Sequence, residues 1–232
     1  MVTESVEQVT SGTPRPGEHL EPEVQGYYQT LLSRLSWPGG EGPGRRLQTL
    51  GLTSCYRGEG VSTVATQLAV TAAGVGRRRV LLVDANLTRP SVHRILGVNI
   101  EPGLAEVLVD AGPLEAVVQP TRVANLFVLA TGSSQANPSE VRESAAMESV
   151  LQHVAGTYDL TVFDLPASGQ PSFAPRLAAL LDGLLLVVEA ERVRWEVAQR
   201  TSELLRRAHI ELLGAVLNKR RQHVPRWLYR TL

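Results

Sequence analysis

With one cysteine, Cys55, in 232 residues, the chain has no intramolecular disulfide and no cysteine-based zinc cluster, which fits a reducing cytoplasm. It also lacks charge of either sign in excess. Lys and Arg number 23, as do Asp and Glu. Nucleic-acid-binding domains usually carry a basic surplus that neutralises phosphates, so no nucleic-acid partner is expected. Long apolar runs are missing too. The strongest, Leu177 to Val188, is interrupted by Asp182 and falls short of the ~20 residues that span a bilayer. The first twenty residues hold Glu4, Glu7 and Glu18 instead of a basic start and an apolar core, so no signal peptide is expected. What is present, 43% hydrophobic and 20% charged residues, suits one α/β domain with tails.

Three parts follow from composition along the chain. Residues 1–22, rich in Pro, Gly, Ser, Thr and Glu, read as a disordered N-terminal arm. Residues 23–44 read as a helix, with Tyr27, Tyr28, Leu31, Leu32 and Leu35 at helical spacing, followed by a hinge from Pro38 to Gly44. Residues 45–232 form the main domain, ending in a basic, aromatic tail from Asn218 to Arg230. Within it, apolar strands are expected at 47–54, 79–84, 125–130, 160–164, 184–188 and 212–217. Amphipathic helices are expected between them, at 62–76, in short pieces over 91–118, and at 138–155 and 194–209. That alternation predicts a mostly parallel sheet covered by helices on both faces, with ligands at the carboxyl ends of its strands.

The most telling absence is a lysine. Ser54 to Thr63 reads S-C-Y-R-G-E-G-V-S-T, close to the phosphate-binding pattern G-x-x-x-x-G-K-[ST]. Cys55 stands at the first glycine position and Val61 at the lysine. The remaining donors are the backbone amides of Gly58, Glu59, Gly60, Val61, Ser62 and Thr63 and the positive end of the helix that follows. A plainer account makes Ser62 or Thr63 a helix cap and Gly58 and Gly60 a turn. Two carboxylates follow apolar strands: Asp84 after Val80-Leu81-Leu82-Val83, and Asp164 after Leu160-Thr161-Val162-Phe163. Each can hold Mg²⁺ or its water beside a phosphate loop, and Asp84 can alternatively close an Asx turn. The three features in this order and spacing carry far more weight than any one of them.

On these residues the chain resembles the bacterial tyrosine kinases of capsule and exopolysaccharide synthesis, within the wider MinD/ParA-type group, whose members share the P-loop NTPase fold. Those kinases read roughly S-x-x-P-G-E-G-K-S-T, then V-L-L-I-D-x-D-x-R-x-P-x-x-H, then Y-D-x-V-I-x-D-x-P-P. The matching segments here are Ser54–Thr63, Val80–His93 and Tyr158–Pro166, with further matches at Gly103-Leu104, Asn137–Glu140 and Gly214–Lys219. The resemblance covers about residues 23 to 230. It implies ATP or ADP with Mg²⁺ as cofactors, phosphate contacts from the loop, Mg²⁺ at Ser62, Asp84 and Asp164, and Asn218 near the adenine. It also implies a cytoplasmic protein peripheral to the inner membrane, bound to a membrane chain-length regulator (a polysaccharide co-polymerase), and self-association into a homo-oligomer.

The departures are specific. Val61 replaces the lysine, Asn86 the second Asp of D-x-D, and Arg57 the proline of P-G-E-G-K. Around Tyr28–Leu32 the Glu/Arg pattern that packs neighbouring subunits in the family is absent, and the tail has Tyr229 in place of a tyrosine cluster. Losing a charged hydrogen bond weakens binding by roughly 1.5–3 kcal/mol, about ten- to a hundredfold. Losing a transition-state charge costs about 10² to 10³ in rate. The expectation is a pseudokinase with little or no phosphotransfer, whose binding of nucleotide is weak or absent. Two alternatives stand: an active autokinase in which Arg57 joins Asp84 and Asp164 as a catalytic group, and a MinD/ParA-like positioning ATPase, whose additional loop lysine is replaced here by Tyr56. Arg77-Arg78-Arg79 is expected to close the helix after the loop, and Trp195 to pack on the sheet.

Overall fold

The computed structural model describes residues 6–10, 22–35, 47–75, 78–110, 113–133, 146–170 and 175–220. Among these residues, eight strands lie in one sheet: β1 (Val6–Thr10), β2 (Thr49–Ser54), β3 (Val80–Asp84), β4 (Gln119–Pro120), β5 (Leu126–Leu129), β6 (Leu160–Asp164), β7 (Gly183–Glu189) and β8 (Leu212–Arg220). Their spatial order is β1-β8-β7-β2-β6-β3-β5-β4. Every neighbouring pair is parallel except β4 with β5. Among the described residues the α-helices are α1 (Pro22–Arg34), α2 (Val61–Gly74), α3 (Val92–Leu96), α4 (Leu104–Asp110), α5 (Ala146–Thr157), α6 (Pro175–Leu180) and α7 (Trp195–Arg207).

The strands are apolar on consecutive residues because both faces of the sheet are covered. Leu50, Leu52, Val80, Leu82, Leu160 and Val162 join one core with Tyr28, Leu31 and Leu32 of α1 and the apolar side of α2. Their neighbours Leu81, Val83, Phe163, Leu184 and Leu186 point the other way, into a second core with residues of α4, α5, α6 and α7. The predicted α/β architecture is thus observed, with α1 docked on the domain through Tyr28, Leu31 and Leu32, three of the five residues that set its helical period.

Several elements differ from expectation. Val6–Thr10, inside the segment expected to be disordered, forms an edge strand parallel to β8. The rest of that arm, the Gly/Pro hinge, residues 137–140 and the tail beyond Arg220 lie outside the described residues. The first three residues of that tail, Asn218, Lys219 and Arg220, belong to β8. The apolar stretch broken by Asp182 is the end of α6 plus β7. The Asp182 carboxylate accepts from Gln48 N (3.0 Å), Thr49 N (2.9 Å) and Thr49 Oγ1 (2.9 Å), pinning the start of β2.

Arg79 does not cap α2, which ends at Gly74. Its guanidinium stacks on the rings of Phe127 (5.3 Å) and Tyr158 (5.2 Å), where cation–π attraction replaces the expected dipole contact. Trp195, expected against the sheet, opens α7 and is 64% exposed.

Candidate nucleotide site

The order β2-β6-β3 sets three strand ends side by side, and each delivers one part of the site. Register pairs Leu52 with Asp164, and Asp84 with Asp164, so the loop after β2 closes over two carboxylates on adjacent strands.

The loop from Ser54 to Gly60 is held by its own side chains. Ser54 Oγ donates to the Tyr56 carbonyl at 2.7 Å. Glu59 folds back, its Oε1 accepting from Tyr56 N at 2.7 Å and its Oε2 from Glu189 N at 3.4 Å. Burial pushes the Glu59 carboxyl up, against the lowering effect of the Tyr56 and Glu189 amides and of Arg192. Gly58 (φ +85°) and Gly60 (φ +92°) occupy the left-handed region, where a side chain is strained. A β-carbon on Gly60 would also collide with Asn218 Nδ2. The loop brings the backbone N–H groups of Gly58, Gly60, Val61, Ser62 and Thr63 to the start of α2, where no side chain caps the helix. Together with the open N-terminus of α2 they make a concave set of donors suited to an anion.

Asp84 is fully buried. Its Oδ1 accepts from Asn86 N (3.2 Å), and its Oδ2 from Ser91 N (2.9 Å) and Val92 N (3.0 Å) at the start of α3. Burial raises its pKa to about 6, opposed by the Val92, Ser91 and Asn86 amides and the Thr131 hydroxyl. Asp164 is buried as completely, yet neither carboxylate oxygen has a hydrogen-bond partner. Burial first, and the neighbouring Asp84 second, raise its pKa well above the usual range. The Ser62 hydroxyl faces it and favours the charged form without reaching hydrogen-bond geometry. Two orphaned carboxylate oxygens beside a hydroxyl, under an open set of amides, fit a hydrated Mg²⁺. Asp164 and Ser62 would hold the ion or its waters, and Asp84 would support the adjoining loop. Bound there, the ion would neutralise phosphate charge.

In front of these carboxylates is a cavity of about 350 Å³, lined on one wall by Arg57, Gly58, Gly60, Val61, Ser62 and Thr63. Asn86, Arg89 and Ser91 line it from the loop after β3, and Gln170 from the loop after β6. The structure therefore brings Arg57, Ser62 and Thr63 to the cavity, with Asp84 and Asp164 behind it. Glu59 braces the loop from behind. Asn218 braces it too, its Nδ2 donating to the Glu59 carbonyl at 2.8 Å. Val61 is only 9% exposed and packs into the core beneath the loop.

Asn86 serves its own turn: its Oδ1 accepts from Thr88 Oγ1 (3.2 Å) and Arg89 N (3.3 Å). Arg89 and Gln170 were not anticipated as site residues. Arg89 lies in the Val80–His93 segment, five residues past Asp84, so its position relative to the carboxylate was the available signal.

The ParA family model, described as NUBPL iron-transfer P-loop NTPase, matches residues 47–227. The tyrosine-protein kinase YwqD of Bacillus subtilis (strain 168) is 32% identical over 191 residues, covering 82% of this chain and 79% of that protein. The chain belongs to the bacterial tyrosine-kinase family of ParA-like P-loop NTPases. Solved structures agree on the fold. The chimerical protein CapA2B2 superposes with a TM-score of 0.84 at 22% identity, over 94% of this chain and 96% of that one. The septum site-determining protein MinD of Pyrococcus horikoshii OT3, complexed with Mg-ADP, gives a TM-score of 0.63 at 25% identity, over 79% and 77%. Nucleotide and Mg²⁺ binding are general properties of the P-loop NTPase group. No helix among the described residues is long and apolar enough to cross a membrane.

Proposed function

We propose that this chain is a nucleotide-binding, catalytically impaired member of the bacterial tyrosine kinases that serves capsule or exopolysaccharide assembly at the inner face of the membrane. In this role it binds ATP or ADP with Mg²⁺ through the Gly58–Thr63 loop, Ser62 and Asp164, and acts through a membrane chain-length regulator. The observation that carries the impairment is Val61. At the lysine position it contributes a packed methyl pair to the core in place of a charge reaching the β/γ-phosphates. Asn86 compounds the loss, since its amide is occupied in a turn and adds no charge toward a metal. Phosphoryl transfer depends on positioned positive charge, so rate falls further than affinity. The partner rests on the family resemblance and is tested by co-purification with the regulator's cytoplasmic segments.

Steady phosphate transfer from ATP by the purified protein, at the ~1–100 s⁻¹ of working protein kinases, would overturn the impairment. A second account, an active autokinase, draws support from the two guanidiniums of Arg57 and Arg89 lining the cavity. It requires phosphotyrosine on the purified protein that disappears in D84N and D164N.

A further inference from the structure

The end of β8 reaches back to the phosphate loop with a cation, Lys219. Lys219 Nζ donates to the Gly58 carbonyl at 2.6 Å and lies 3.2 Å from Glu189 Oε2. The same carboxylate oxygen pairs with Arg192 Nη1 at 2.8 Å, so Glu189 holds two cations against this side of the loop. The backbone at Lys219 is left-handed, φ +57°, a conformation that costs a non-glycine residue energy and is found where surrounding structure enforces it. One residue earlier, Asn218 Nδ2 takes the Glu59 carbonyl at 2.8 Å, while the Asn218 carbonyl is fixed by Ala190 N at 2.9 Å. Two successive loop carbonyls, Gly58 and Glu59, are therefore each held by a side chain of β8.

We propose that Lys219 is a positioning residue that makes up part of the charge withdrawn at Val61, acting through the Gly58–Glu59 peptide. An ammonium on the carbonyl of that peptide polarises it, and its N–H, on Glu59, becomes a stronger donor for an anion. Because Asn218 holds the next carbonyl, the Gly58–Glu59 and Glu59–Gly60 peptides keep their orientation before ligand arrives. The loop is thereby organised for phosphate from outside the cavity. This inference rests on the nucleotide-binding reading and names the residue that sustains it.

The test titrates the full chain with ADP and with adenosine, both in Mg²⁺, for the unmodified protein, K219M and K219R. Thermal unfolding of each variant is run alongside. Methionine keeps the length of the side chain and removes the charge, whereas arginine keeps the charge and donors. Expected is a loss of about tenfold in ADP affinity for K219M, as for one charged hydrogen bond, with adenosine affinity unchanged and affinity largely restored in K219R. The amide proton of Glu59, followed by NMR, shifts in K219M and returns in K219R. Equal ADP affinity in K219M and the unmodified protein overturns the inference and leaves nucleotide binding standing. A parallel loss for ADP and adenosine also overturns it, since that marks a structural role. No ADP binding by the unmodified protein overturns both the inference and the nucleotide-binding reading.

Discussion

Asp84 and Asp164 are register neighbours on adjacent parallel strands, both buried, and only Asp84 has its charge met by backbone amides. The pair is tolerable without metal because burial raises both pKa values, and the neighbouring Asp84 raises that of Asp164 further. D164N in chelator at pH 8 is expected to be more thermostable than the unmodified protein, by about 1 kcal/mol or more. The same variant loses any Mg²⁺-dependent gain in nucleotide affinity. Differential scanning calorimetry and titration with and without Mg²⁺ check the two halves.

Gly60 has two reasons to be glycine and Gly58 one. At Gly60 a side chain meets both a positive φ and Asn218, whereas at Gly58 the nearest atom to a β-carbon is Arg192 Nη1 at 3.5 Å, ordinary contact. G58A is expected to cost about 1–3 kcal/mol of stability from backbone strain. G60A should cost more and displace Asn218 from Glu59. Chemical denaturation of the two variants side by side decides it.

Glu59 is buried inside the loop, and burial raises its pKa. The stability it contributes is complete below its unfolded pKa and is lost as pH rises through the raised folded value. Arg192 is the cation facing it and Glu189 contributes a backbone N–H, and both remain in E59Q, which also keeps an acceptor for Tyr56 N. The pH profile of stability should therefore be flatter in E59Q. Its advantage over the unmodified protein should appear at neutral pH and vanish near pH 4, as thermal melts across that range would reveal.

Much of this was legible in sequence because it is local. Strands β3 and β6 announced themselves as short apolar runs ending in Asp84 and Asp164, and the loop by glycines set before a helix. The edge strand β1 was not legible: Val6-Glu7-Gln8-Val9-Thr10 is short and polar, and its pairing with β8 joins residues about 200 apart. Asn218 and Lys219 read as the start of a basic tail for the same reason, since their loop partners lie some 160 residues earlier. Arg89 and Gln170 come from separate loops that meet only when β6 and β3 lie side by side. Asn86 was legible as a substitution, but its service to its own turn needed the geometry of Thr88 and Arg89.

The central claim is that the loop binds nucleotide without its lysine and at a cost that the lysine would recover. V61K exchanges core packing for charge. It is expected to lose about 1–2 kcal/mol of stability and to gain about ten- to a hundredfold in affinity. Calorimetric titration of the unmodified protein and V61K with Mg-ADP tests this most directly. The account predicts measurable binding by the unmodified protein and tighter binding by V61K. Absence of binding by the unmodified protein, or equal affinity in the two, would contradict it.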